Sequence, residues 1–256
     1  MFSYRLSPNR NGGVGVAFTD REGGSSQGPL SSFNLGKSNE DDPAALRKNM
    51  SALKQQLGFV GVVALHQVHG ATVFDADADH RSWQGEKWLG DRFGEPLPQA
   101  DAAITSTKNL ALMIRVADCV PVVFAADGCV AAAHAGRTGL LGGVLVETVE
   151  AIRARTLEPI RAWIGPHICG SCYELPKEMV DSAADQFPEA VAETSWGTPA
   201  LDLGAGASAQ LQRLGVSVES VGECTMESKS LYSHRGDGAQ TGRQAGLIWL
   251  DSSKSR

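Results

Sequence analysis

Apolar positions recur along the chain with two periods, and the period sorts most segments into strands or helices. Residues 14–19 (V-G-V-A-F-T) read as a first strand. Asp42 suits a helix N-cap and Pro43 the first helical position. Ala45, Leu46, Met50, Leu53 and Leu57 then recur at helical spacing until Gly58 stops the run. Residues 60–65, 71–74, 100–105 and 110–116 read as strands. Residues 140–156 read as one helix with Leu141, Val144, Leu145, Thr148, Val149 and Ile152 on its buried side. Strand 160–164, helices 176–187 and 201–214, and strands 216–221 and 246–250 complete the pattern, with a frayed tail at 251–256. Residues 75–98 are polar and aperiodic despite Trp83 and Trp88, which predicts an exposed excursion and a candidate lid. No Pro- or Ser-rich linker divides the chain. The mixture predicts a single α/β or α+β domain over residues 1–256, built on mixed sheets.

One stretch carries a register. Asp127-Gly128 separates two apolar runs, the strongest short-range hairpin signal. With those two residues as the loop, Ala126 pairs with Cys129, Pro121 faces His134 and Cys119 faces Gly136. Side chains alternate along a strand, so Cys119, Pro121 and His134 share one face. Cys119 and His134 become diagonal neighbours, with backbones roughly 7–8 Å apart. A Cys is most often a small buried hydrophobe, and a His at a strand end is most often only hydrogen-bonded. The pair at one hairpin end, with Asp118 beside the thiol, makes a chemical site an equal reading.

Composition narrows the class. The 256 residues are 42% hydrophobic and 20% charged, as in ordinary globular proteins. A net charge of −6 without a basic stripe argues against nucleic acid as a main partner. The absence of a long apolar run argues against a membrane span, and the first residues lack an apolar signal core. Five Cys in a chain of this length predict a reducing, cytoplasmic setting rather than a disulfide scaffold.

Other candidates are scattered. Arg21 lies in a Gly-rich turn whose amides can cradle an anion, and Asn34 closes the loop that follows. Arg137 stands at a Gly-rich helix start, where phosphate binds well. H-Q-V-H-G offers His66 and His69 as metal ligands or surface polar groups. Cys169-x-x-Cys172 invites a zinc or redox reading, but no second C-x-x-C and no thioredoxin-like pattern accompany it. Nothing beside these two thiols activates them, so they are expected not to be catalytic. Arg243 and Gln244 lie in a polar loop before the last strand.

Eight segments, in order, resemble the laccase-domain family, the polyphenol-oxidase-like proteins described as purine nucleoside phosphorylases. They are T-D-R-E-G-G-S-S, S-S-F-N-L-G, H-Q-V-H-G, Q-A-D-A-A-I, A-D-C-V-P-V, H-A-G-R-T-G-L, I-G-P-H-I-C-G-S-C-Y-E-L and T-G-R-Q-A. The resemblance implies stacked mixed β-sheets flanked by helices, four layers in one domain. It implies a zinc site of His69, Cys119 and His134, which with Asp118 would be the catalytic residues. Arg21, Asn34, Arg137, Arg243 and Gln244 are the candidate substrate contacts, with the Arg21 turn and the helix start at Arg137 as anion holders. The implied substrates are purine nucleosides and phosphate, with adenosine deamination as a further reaction. Many members carry H-A-G-W-R-G where this chain has His134-Ala135-Gly136-Arg137-Thr138-Gly139, so the Trp is missing and the Arg is displaced by one place.

Three donors of mixed N and S leave a fourth zinc position open, as catalysis requires. Asp118 reads equally as a proton carrier, a partner of the metal site or a strand-end cap. Two His and one Cys also suit copper, but a multicopper phenol oxidase needs many more than the six His present. A metal-free thiol hydrolase, with Cys119 as nucleophile and His134 as base, and a non-catalytic nucleoside-binding protein are the other readings.

Overall fold

The hairpin forms with the expected register: Ala126 pairs with Cys129, and Pro121 with His134. It lies within a computed structural model that describes residues 1–36, 41–79, 83–85, 87–89 and 96–252. The first half of the chain forms β1 (Phe2–Leu6), β2 (Val14–Thr19), α1 (Pro43–Leu57), β3 (Gly61–Ala64), β4 (Val73–Asp75), β5 (Ala102–Thr105) and β6 (Leu110–Val116). The hairpin strands are β7 (Val120–Ala126) and β8 (Cys129–Ala135). Then come α2 (Arg137–Leu141), α3 (Val144–Arg153), β9 (Arg161–Ile164), α4 (Lys177–Ala184), β10 (Val191–Glu193) and β11 (Pro199–Leu201). The chain closes through α5 (Leu203–Arg213), β12 (Ser217–Ser220), α6 (His234–Asp237) and β13 (Gln244–Leu250).

Two mixed sheets result. One has the order β1-β2-β13-β6-β3 and the other β12-β9-β7-β8-β5-β4. The pairs β3–β6, β4–β5 and β9–β12 are parallel, while the others within the two sheets are antiparallel. The sheets pack face to face. Phe18, Leu112, Ile114 and Leu247 of the first share a core with Val123, Val130 and Trp163 of the second. Leu46, Met50, Leu53 and Leu57 of α1 join that core, where Asp42 accepts from the Ala44 amide and Gly58 caps the end at φ 84°. The opposite face of the second sheet, through Val122, Phe124 and Ala133, packs on Leu145, Val149 and Ile152 of α3 and Leu203, Ala207 and Leu211 of α5. The chain is therefore layered helix, sheet, sheet, helix.

Four differences from the sequence reading have physical causes. The helix expected over 140–156 is two: Gly142 and Gly143, the latter at φ 89°, break it between α2 and α3. Strand β1 is unforeseen because it is a partly exposed edge strand with little alternation. Three-residue strands β10 and β11 are too short to show a period. The stretch 75–98 is not wholly exposed: Trp83 and Trp88 are buried in the main core, so the aromatics override its polar composition. Residues 80–82, 86 and 90–95 of that candidate lid, and residues 253–256 of the expected tail, lie outside the described residues.

Phe18 of the first sheet packs directly against Gly165, just after β9 of the second. A Cβ on Gly165 would lie 2.2 Å from its ring carbons, and one on Gly246 would lie 2.9 Å away. Close-packed interiors tolerate added methyl groups poorly. Gly165→Ala is expected to destabilise the domain by about 1–3 kcal/mol. A urea midpoint unchanged from the parent would show that the sheets can move apart there at no cost.

Candidate functional site

The chain passes from the first sheet to the second twice, through residues 65–72 between β3 and β4 and through residues 117–119 between β6 and β7. His69 stands on the first crossing and Cys119 on the second. His134 lies on β8, one residue from its end. The crossings bend sharply: His69 has φ 61° and Asp118 φ 96°, left-handed values uncommon outside glycine. Such conformations persist where the surroundings over-determine them.

Asp101 determines the first. Fully buried just before β5, its carboxylate accepts amide protons from Val68 (3.1 Å), His69 (2.8 Å) and Gly70 (2.7 Å). The same carboxylate contacts His134 Nδ1 at 2.8 Å. Burial raises the Asp101 pKa, but His134 and the amides outweigh it and hold the carboxyl below its ordinary value. With Nδ1–H donating to Asp101, His134 offers Nε2 to the site, the orientation that carboxylates impose on metal-ligating histidines.

One donor atom from each of His69, Cys119 and His134 lies within 4.8 Å of the others. The Cys119 sulfur is 3.8 Å from His69 Nε2, and the imidazole centroids are 4.7 Å apart. Gly136 explains the H-A-G sequence: a Cβ there would meet His69 Cδ2 at 2.7 Å and the Cys119 sulfur at 3.1 Å. Burial pushes the Cys119 thiol up, yet hydrogen bonds with His134 and His69 prevail and bring its pKa down to about 6. Burial lowers the His134 pKa, but Asp101 and Cys119 raise it to about 9. A thiol favouring its anion between two imidazoles is a donor set suited to zinc or copper.

Asp118 is occupied with the protein itself. Its Oδ1 accepts from the Thr225 hydroxyl (2.6 Å) and the Ser233 hydroxyl (2.7 Å), and its Oδ2 from the Arg235 amide (2.6 Å). It anchors the loop that forms one wall of a cavity of about 870 Å³. The cavity takes in the three donors, Asp118, Arg115, Arg243 and Tyr173, and its size is ordinary for a small-molecule site.

The substrate candidates divide. Arg243 lines the cavity, and Asn34 beside it accepts the Arg243 amide and so fixes that loop. Arg21 does not line the cavity: it donates to Ser31 O and Leu231 O, pairs with Asp237, and lies over the Tyr232 ring. Gln244 is buried, bonded through both side-chain ends to the Tyr232 backbone. Arg137 opens α2 outside the cavity lining. His66 lines the cavity but does not belong to the converging donor group.

Two residues escaped the sequence reading. Asp101 was visible only as part of Q-A-D-A-A-I. Arg115 is a single cation inside the apolar strand L-A-L-M-I-R-V, and that isolation was its signal. Its Nη2 donates to Leu65 O at 2.6 Å, while Nη1 is buried without a partner among the described residues. Burial and the nearby Arg243 cation lower its pKa to about 10.

Fold and site thus define a single-domain α+β protein with a His-Cys-His donor group in a cationic cavity. The chain belongs to the family described as multi-copper polyphenol oxidoreductase laccase, whose profile matches residues 15–251. A Streptomyces coelicolor protein named purine nucleoside phosphorylase is 46% identical over 93% of this chain and 96% of its own. One of that name from Corynebacterium glutamicum is 38% identical over 94% and 96%. YlmD from Geobacillus stearothermophilus superimposes with a TM-score of 0.83 at 32% identity, covering 94% of this chain and 93% of that one. The Neisseria meningitidis protein NMB0706 gives 0.79 at 37% identity, over 94% and 95%.

Asp101→Asn keeps the shape and removes the charge that orients His134. Turnover of this variant is expected to be lost at a chelator concentration about 10–100-fold lower than for the parent. Equal chelator resistance would mean that His134 needs no such support.

Proposed function

We propose that the protein is a zinc-dependent purine nucleoside phosphorylase acting on adenosine, inosine and guanosine. The relatives' name supports the reaction class, and one observation favours phosphorolysis at this site. Arg115 and Arg243 share the cavity with His69, Cys119 and His134, and Arg115 keeps a buried donor with no partner among the described residues. A guanidinium donor left unpaired is costly to bury unless an anion completes it, and planar guanidinium suits phosphate.

The donor set fits a zinc ion, which His69, Cys119 and His134 would hold. When bound, zinc supplies Lewis-acid polarisation of a reactant oxygen or nitrogen. The chain's own residues do the rest. Arg115 and Arg243 hold phosphate, which attacks the ribose C1′ as the bond to the purine nitrogen breaks. The products are ribose 1-phosphate and the free base, which takes up one proton. Tyr173 offers an aromatic face to the base, and Asp118 acts as a positioning residue through Thr225, Ser233 and Arg235. Asp101 fixes His134.

A zinc ion held there would also supply the Lewis acid for a second reaction, deamination of adenosine, in which water replaces the C6 amino group and ammonia leaves. Copper is the alternative metal that the family's description suggests. A cytoplasmic location suits five unpaired thiols. Among the described residues no helix is long and apolar enough to cross a membrane.

Adenosine, inosine and guanosine should each release base and ribose 1-phosphate only when phosphate is present. Chromatography of the products checks this. Inosine formed from adenosine without phosphate would identify the deaminase reaction. Arg115→Met should raise the KM for phosphate at least about tenfold, or about 1.4 kcal/mol, with the nucleoside KM little changed. Phenol oxidation with copper and no nucleoside turnover would overturn the reading.

A further inference from the structure

A second donor group lies outside the cavity lining, on four side chains that the nucleoside reaction does not use. Cys169 and Cys172 occupy the turn after β9, and Cys224 and Glu227 occupy the loop between β12 and α6. One donor atom from each of the four lies within 4.8 Å of the other three. The chain thus brings C-x-x-C against C-x-x-E, a spacing whose second half shows no metal pattern in sequence.

The local backbone is arranged around sulfur. The Cys172 and Tyr173 amides both donate to Cys169 O at 3.0 Å, closing the turn. The Cys169 amide donates to the Cys224 sulfur at 3.5 Å. Amide donors of this kind stabilise thiolates, much as outer hydrogen bonds tune metal ligands. The Cys172 sulfur lies 3.7 Å from Glu227 Oε1. A Cβ on Gly170, between the two cysteines, would come within 2.9 Å of Ala192 Cβ and Asp202 Cβ, so the turn is docked rather than free.

We propose that Cys169, Cys172, Cys224 and Glu227 bind a second metal ion of the zinc class, in a closed structural site. Three sulfurs and one carboxylate supply the four donors of a tetrahedral structural site, and thiolate-rich sets select soft cations over magnesium or calcium. Metal binding would release one proton from each thiol. The ion would join two loops that both reach Asp118. Ile168, beside Cys169, donates its amide to Asp118 O at 3.0 Å, and Thr225, beside Cys224, donates its hydroxyl to Asp118 Oδ1. The site is thus a staple behind the wall of the cavity, independent of the nucleoside reading.

The test uses the full chain with Cys119→Ser, which removes the sulfur of the first donor group, titrated with cobalt(II) under reducing conditions. One equivalent should bind and give a thiolate-to-cobalt charge-transfer band. Adding Cys172→Ser should abolish the band, while Glu227→Gln, at an exposed position, should keep a thiolate band and weaken binding. Elemental analysis of the unmutated chain provides a second measurement, with about two zinc ions expected per chain. Overturning results are a folded Cys119→Ser protein without such a band, zinc near one equivalent that disappears entirely with Cys119→Ser, or a disulfide among the three cysteines in protein from reducing cells.

Discussion

The Asp101 carboxylate is the contact on which the site depends. It is fully buried, and it joins the Val68–Gly70 turn to His134 of β8. Three successive amides of the Val68–Gly70 turn converge on it, as does the imidazole of His134. A buried anion is tolerated only when its lone pairs are filled, and here four donors fill them. The left-handed backbone of His69 follows from this convergence, because the turn must present its amides inward while its side chain faces the Cys119 sulfur. One carboxylate thereby sets both imidazoles.

Asp118 plays the corresponding part on the other crossing. Its carboxylate gathers Thr225, Ser233 and the Arg235 amide, so the wall of the cavity is hung from the residue next to the thiol. The two aspartates thus divide the work: one arranges donors, the other arranges the space in front of them. The cations follow the same economy. Arg115 is tethered to the first crossing through Leu65 O, and its backbone is bonded to the Gln67 side chain. Its position is therefore tied to the turn that carries His69.

Much of this was legible in the sequence where the cause is local. Asp127-Gly128 set the hairpin and so the Cys119–His134 relation, and Asp42-Pro43 with Gly58 bounded α1. Gly142 and Gly143 also carried a signal, and the apolar stripe running through them masked it. What could not be read was tertiary. Asp101 sits between alanines in an unremarkable strand lead, and its partners lie 31 to 33 residues away along the chain. Arg21 and Gln244 looked like anion holders because a conformation that satisfies their donors internally leaves no local trace. The Cys224–Glu227 pair acquires meaning only when folding sets it against Cys169 and Cys172.

The double crossing between sheets has a consequence for how the protein is made. The three donors of the first site sit at positions 69, 119 and 134, on segments that leave or end strands of both sheets. The first sheet also needs β13, the last strand of the chain, between β2 and β6. A nascent chain that has displayed all three donors still lacks the central strand that holds the crossings in place. Closure of the site therefore depends on β13 taking its place between β2 and β6, and so on the whole domain rather than on any smaller folding unit.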